Sequence, residues 1–212
     1  MADLLLDKIL PPELREGGLV SESLLRHCLK RCGRGVRVFQ GCRLVSPEAI
    51  ELGDFCQVDE GVLLFAGEGI AVGRHVHLAA ASSISGGGRC VLGDFAGIGV
   101  GVRLVTGTEV VDGAGLTNPT VPSSYRAVQR GSVVIGAHAV IFTNSVVLPS
   151  VLVGEGAVVA AGSVVHRDLK PWGVYAGNPL VQIGTRPAER ILALAEQLLR
   201  EEGRGAADRP VS

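Results

Sequence analysis

A six-residue period runs through the second half of the chain. In IGAHAVIFTNSVVLPSVLVGEGAVVAAGSVV, residues 135–165, the positions Ile135, Ile141, Val147, Val153, Val159 and Val165 recur every six residues. Four positions after each of the first five stands a small or β-branched residue: Ala139, Ser145, Val151, Ala157 and Ser163. Helices bury positions at a period of about 3.6 and strands at about 2, so neither element explains the pattern. A longer echo precedes it. Cys32-Gly33, Leu52-Gly53, Val72-Gly73 and Leu92-Gly93 lie twenty residues apart, and LGDF recurs at 52–55 and 92–95. Ile135-Gly136 and Val153-Gly154 then follow eighteen apart. Eighteen is three hexapeptides, and twenty adds a two-residue corner.

Fixed periods of this kind define a solenoid, in which each unit buries apolar surface only against its neighbours. A hexapeptide holds one short strand and one turn, so three make a triangular coil. The first residue points inward and the fifth must be small beside a corner. Glycine after the inward residue is expected where the backbone bends. Stacked coils pair as parallel strands, which favour β-branched interiors. The predicted class is all-β, a parallel β-helix over residues 32–184.

Composition agrees. Hydrophobic residues make up 47% and aromatics 4% of the 212 residues, so the core is Val, Leu, Ile and Ala. The 30 glycines are about twice average usage and suit many corners. A net charge of −1 with scattered Lys and Arg argues against nucleic acid as a partner. MADLLLDKIL has no basic segment ahead of its apolar run and does not read as a signal peptide. No apolar run of about eighteen residues is available to span a membrane. The expected location is cytoplasmic, and the five cysteines read as reduced thiols. Cys42 and Cys56 fall at small inward positions, where packing is their role.

Caps are expected at both ends. Residues 1–31 form an N-terminal cap with Pro11-Pro12 and a short helix from Ser21 carrying Leu24, Leu25, Cys28 and Leu29. Within 185–212, residues 187–203 place Ile191, Leu194, Ala195, Leu198 and Leu199 on one helical face, and a frayed tail follows from Gly203. Such caps cover exposed strand edges. Between Leu92 and Ile135 the period is lost for about 25 residues. The excess lies in a projecting loop, 107–131, rich in Gly, Pro, Asn, Ser and Thr. Long loops on rigid scaffolds are commonly functional.

These repeats, with VVHRDLKPWGVYAGNPLVQIG at 164–184, resemble the hexapeptide-repeat acyltransferases, which have a left-handed parallel β-helix. The family's Lys-Asp pair is here Arg167-Asp168, and the last Ala of its AGNPA ending is Leu180. The loop wording LTNPTVPSSYRAVQRG at 116–131 resembles VioB-type enzymes, which acylate nucleotide-linked amino-deoxysugars. The resemblance implies a homotrimer with a site between subunits, acetyl-CoA or another acyl-CoA as cosubstrate, no metal, and a small-molecule sugar substrate.

Acyl transfer requires loss of a proton from the nucleophile, donors for an oxyanion and a channel for pantetheine. Many sugar O-acetyltransferases resembling this chain have a loop His. The matching stretch, Thr106-Gly107-Thr108-Glu109, puts Glu109 there. The candidate bases are therefore His77, read as an outward corner residue, and Glu109, which would accept a proton or hold the substrate ammonium. His75 and His138 read as surface residues. Ala160, Ala161 and Gly162 offer backbone N–H groups to the pantetheine arm, and a backbone N–H is the expected oxyanion donor. Arg167 and Lys170 would meet phosphates, and Asn118, Pro119 and Tyr125 would touch sugar or nucleotide. N-acylation is the leading reading and O-acetylation of a hydroxyl the alternative. A metal-dependent hydratase would need three convergent histidines, and a scaffold would have no affinity for acetyl-CoA.

Overall fold

The computed structural model describes residues 18–207. The apolar segment with Pro11-Pro12 and the last five residues of the tail lie outside them. Ile135, Ile141, Val147, Val153, Val159 and Val165 are all fully buried, and so are Ala139, Ser145, Ala157 and Ser163. The six-residue period is thus one side of a triangular coil, with its first and fifth residues inward.

Three parallel sheets form the faces of the prism. The first face stacks Arg31–Cys32, Ile50–Leu52, Ile70–Val72, Cys90–Leu92, Val133–Ile135 and Leu152–Val153. The second runs from Arg37–Val38 through Gln57–Val58, His77–Leu78, Gly97–Ile98, Val140–Ile141 and Val158–Val159 to Gly173–Ala176. The third stacks Arg43–Val45, Leu63–Phe65, Ser83–Ser85, Arg103–Val105, Val146–Val147 and Val164–Val165. Registers pair identical positions: Ile50 with Ile70, Ile70 with Cys90, and Cys90 with Val133. The projecting loop therefore adds 23 residues between two coils without shifting the ladder. The architecture is a left-handed parallel β-helix. Each fully buried Val, Leu or Ile contributes about 1.5–3 kcal/mol.

The glycines after the inward residues serve a different purpose from the one expected. They do not bend the chain. A Cβ on Gly53 or Gly93 would sit 2.5 Å from backbone atoms of the next coil, and one on Gly136 at 2.6 Å. Glycine is required there because stacked coils approach too closely for any side chain. The bend comes two residues later, where Phe55, His75, Phe95, His138 and Gly156 adopt positive φ.

Both ends are closed. Helix α1, Glu22–Cys28, starts at Ser21, whose Oγ accepts the Leu24 N–H at 3.3 Å. It buries Leu25, and Leu29 just beyond it, while Leu24 faces solvent. At the other end Val181–Thr185 pairs antiparallel with Gly173–Ala176, which replaces a bare parallel edge. Helix α2, Glu189–Ala207, continues through Gly203 where a frayed tail was expected. Its Ile191, Leu194, Ala195 and Leu198 face Phe95, His138, Val140 and Arg186 across a groove of about 330 Å³.

Candidate active site

Strand alternation settles where His77 points. Leu78 is fully buried, so His77 faces out from the second face with half its side chain exposed. It opens a strand and is not at the corner. The corner residue is His75, at φ 55. His77 pairs in register with Gln57 on one side and Gly97 on the other, and Gly97 leaves that flank without a side chain. His77 Nε2 lies 2.8 Å from Asp59 Oδ2, and Gln57 Nε2 donates to Asp59 Oδ1 at 2.7 Å. The Asp59 N–H donates to Leu78 O at 2.9 Å. Sequence reasoning missed Gln57 and Asp59. The twenty-residue coil length that sets Gln57 beside His77 was the available signal.

The loop has its own stem. Gly107–Glu109 and Val128–Arg130 pair as an antiparallel ribbon, rooted by Thr106, which is fully buried. Thr106 Oγ1 donates to Ser85 O at 2.9 Å and accepts the Gly88 N–H at 3.0 Å. Side chains at Gly86 or Gly88 would collide with Gly107, Thr106 and Gly131, so the glycine run at 86–88 makes room for this stem. Glu109 is paired with Arg126, both four-fifths buried. A cation from the loop itself thus already neutralises Glu109. Asn118 Oδ1 accepts the N–H and hydroxyl of Thr120 at 3.0 and 2.9 Å, which shapes the turn around Pro119. Tyr125 is 64% exposed. The loop leaves between the third and first faces, whereas His77 lies just past the border of the first and second. The two sets of candidates are rooted at opposite borders of the first face.

The proposed pantetheine stretch is corrected in one respect. Ala160 N–H donates to Tyr175 O at 2.8 Å and Gly162 N–H to Thr143 O at 2.9 Å, so neither is free for an incoming amide. What remains is an open surface. Gly162, at φ +68, has nothing within 4 Å of where a Cβ would stand, and Ala161 is exposed. Arg167 Nη2 reaches Leu180 O at 3.4 Å, and the Lys170 side chain is exposed. These two cations and the Ala160–Gly162 corner sit at the two borders of the third face.

The edge between the first and second faces carries a feature the sequence reading missed. Phe55, His75, Phe95 and His138 stack at ring separations of 5.0, 5.1 and 5.0 Å, and Trp172 joins at 6.3 Å. His138 is buried, not a surface residue, and burial lowers its pKa from the usual imidazole value. His75 is mostly buried too. Its Nε2 lies 2.8 Å from Glu202 Oε1 on α2, out of line for a hydrogen bond. Arg186 donates to His138 O at 2.8 Å and lies over the Trp172 ring. Burial pushes the Cys56 thiol up to about 11 and Cys90 up to about 12, so both pack as neutral thiols. No group of three His, Cys, Asp or Glu converges on a common point among the described residues.

The chain matches known proteins at three levels. Residues 132–167 match the family model described as "Bacterial transferase hexapeptide (six repeats)". The dTDP-4-amino-4,6-dideoxy-D-glucose acyltransferase of Escherichia coli is 34% identical over 78% of this chain and 86% of its own length. A chloramphenicol acetyltransferase of Agrobacterium fabrum is 28% identical over 51% of this chain and 57% of its own. Among solved structures, a point mutant of the N-acyltransferase AntD of Bacillus cereus, crystallised with dTDP-4-amino-4,6-dideoxyglucose and coenzyme A, superposes with a TM-score of 0.82. It is 26% identical over 88% of this chain and the whole of that one. The chain belongs to the hexapeptide-repeat acyltransferases.

Proposed function

We propose that this protein transfers an acyl group from acyl-CoA to the amino group of a nucleotide-linked amino-deoxysugar, with acetyl as the simplest donor group. The observation that carries the reading is the 34% identity to the Escherichia coli amino-sugar acyltransferase across 86% of that enzyme. AntD adds a neighbour of the same fold with an amino sugar and coenzyme A bound.

The chemistry needs the amine neutral, the thioester carbonyl polarised and the thiolate released. In this reading His77 takes the proton as the amine attacks, a step worth about 10²–10⁴ in rate. Its ring is exposed, and an acidic partner orients it. Glu109, balanced by Arg126, positions the amine instead of deprotonating it. Asn118, Pro119 and Tyr125 on the exposed loop contact sugar or nucleotide. The open corner at Ala160, Ala161 and Gly162 passes the pantetheine arm, and Arg167 and Lys170 meet its phosphates.

His77 and the loop sit at different borders of the prism, so the working unit is a homotrimer in which one chain's loop covers its neighbour's second face. Exposed Phe142, Leu152 and Leu194 give apolar surface to bury in such an assembly. Among the described residues no helix is long and apolar enough to cross a membrane, and a cytoplasmic location follows from the substrates proposed. The test is free-thiol release from acetyl-CoA with a nucleotide-linked amino sugar and with its hydroxyl counterpart. Turnover confined to the amino sugar is expected. Preference for the hydroxyl compound would make the enzyme an O-acyltransferase.

A further inference from the structure

His77, Asp59 and Gln57 form a chain of polar contacts that neighbouring coils hold in place. Gln57 and His77 are register partners, and Asp59 is tied to the His77 strand by its own N–H to Leu78 O at 2.9 Å. One backbone ladder, which continues past Gln57–Val58 to Asp59, therefore fixes the relative positions from which all three side chains extend. An ionised carboxylate only accepts hydrogen bonds. At 2.8 Å from Asp59 Oδ2, Nε2 of a neutral His77 must carry the proton. Its lone pair then resides on Nδ1. Gln57 donates to the other carboxylate oxygen at 2.7 Å, so Asp59 cannot turn away without breaking that bond. On the far side Gly97 supplies no side chain, which leaves an approach to the ring. Asp59 is only about a quarter exposed.

We infer that Asp59, oriented by Gln57, is a positioning residue that holds His77 in the Nε2–H tautomer, so that Nδ1 is the atom that takes the proton from the attacking amine. The inference rests on the assignment of His77 as base. The proton balance is simple. Nδ1 gains the amine proton as the C–N bond forms, Asp59 then faces an imidazolium, and that proton leaves to the departing thiolate when the C–S bond breaks. The carboxylate stays ionised throughout. A structural role for Asp59 alone would set the same tautomer but would demand no effect on turnover in a folded protein.

The test combines kinetics with ¹⁵N NMR of histidine-labelled full-length protein. In the wild type, neutral His77 is expected to show Nε2 protonated and Nδ1 bare. In Asp59→Asn the amide can present N–H to Nε2, so the proton should move to Nδ1. Turnover should then fall by about 10- to 100-fold, with KM for acetyl-CoA unchanged and partial recovery in Asp59→Glu. A wild type with Nδ1 protonated overturns the inference without any variant. Near-normal turnover in D59N while His77→Ala is inactive removes the positioning role and leaves the base intact. Full turnover in H77A overturns the base assignment itself, whatever tautomer the spectra show.

Discussion

The two borders of the first face solve the same corner problem in opposite ways. At the border with the second face, residues of positive φ carry rings, and Phe55, His75, Phe95, His138 and Trp172 stack into a continuous column beneath α2. At the border with the third face, a glycine run at 86–88 clears space for the stem of a loop whose tip is exposed. One edge is filled and holds coils together. The other is emptied so that chain can leave the prism. The repeat tolerates both because its inward residues are untouched by either.

Removal of the loop should have the largest effect. Joining Thr108 to Arg130 by a short turn in place of residues 109–129 leaves every inward residue of the coils present. Circular dichroism and the melting temperature should stay close to the wild type, while acyl transfer disappears. A loop-less protein that unfolds would show that the emptied edge stabilises after all, and one that turns over normally would move the site elsewhere.

A matched pair of glycines sharpens the contrast in energetic terms. Gly156 and Gly162 have nearly the same backbone, φ 64 and 68. A side chain at Gly156 would run into the Trp172 ring, whereas one at Gly162 would meet nothing within 4 Å. Gly162→Ala should cost only the left-handed strain, about 1–2 kcal/mol. Gly156→Ala adds overpacking against Trp172 and should cost about 2–4 kcal/mol. Denaturant midpoints give the comparison directly. Equal losses would mean that the aromatic column yields without cost.

The fold was legible in the sequence because inward positions repeat with few exceptions. Ile135 through Val165 mark one residue per side, and LGDF at 52–55 and 92–95 marks whole coils. Outward positions follow no such rule. Asp59 and Gln57 carry no periodic signal of their own, and their link to His77 emerges only once coil length becomes register. The aromatic column was half visible, since Phe55, His75 and Phe95 are twenty apart. Trp172 was hidden because it folds over Gly156 from a shorter final coil to reach His138. The glycines after the inward residues were found for the wrong reason, because sequence spacing does not distinguish a bend from a close approach.

A smaller effect should appear with pH. Burial within the column, facing Arg186 with Glu155 and Asp94 nearby, lowers the His138 pKa from 6.5. The unfolded chain then binds this proton at higher pH than the folded one. The stabilisation is complete above the unfolded value and is lost as pH falls toward the depressed folded value. Phe already occupies equivalent positive-φ corners at 55 and 95, so His138→Phe should keep the stack and the carbonyl bond from Arg186. Stability between about pH 7 and 5 should become flatter in the variant. An unchanged slope would place the pH sensitivity outside the filled edge.

The central claim is that one chain's second face and another chain's loop complete each amine-acylating site. His77→Ala and the loop deletion damage different halves of that site, so each alone should be nearly inactive. Co-expressed and purified as mixed trimers, they should regain activity wherever a loop-deleted chain supplies His77 and an H77A chain supplies the loop. Each trimer that contains both chains has one complete site of three, so about a third of wild-type turnover is expected. Mixed trimers that form but remain as inactive as the parents would contradict the shared site and return both halves to a single chain.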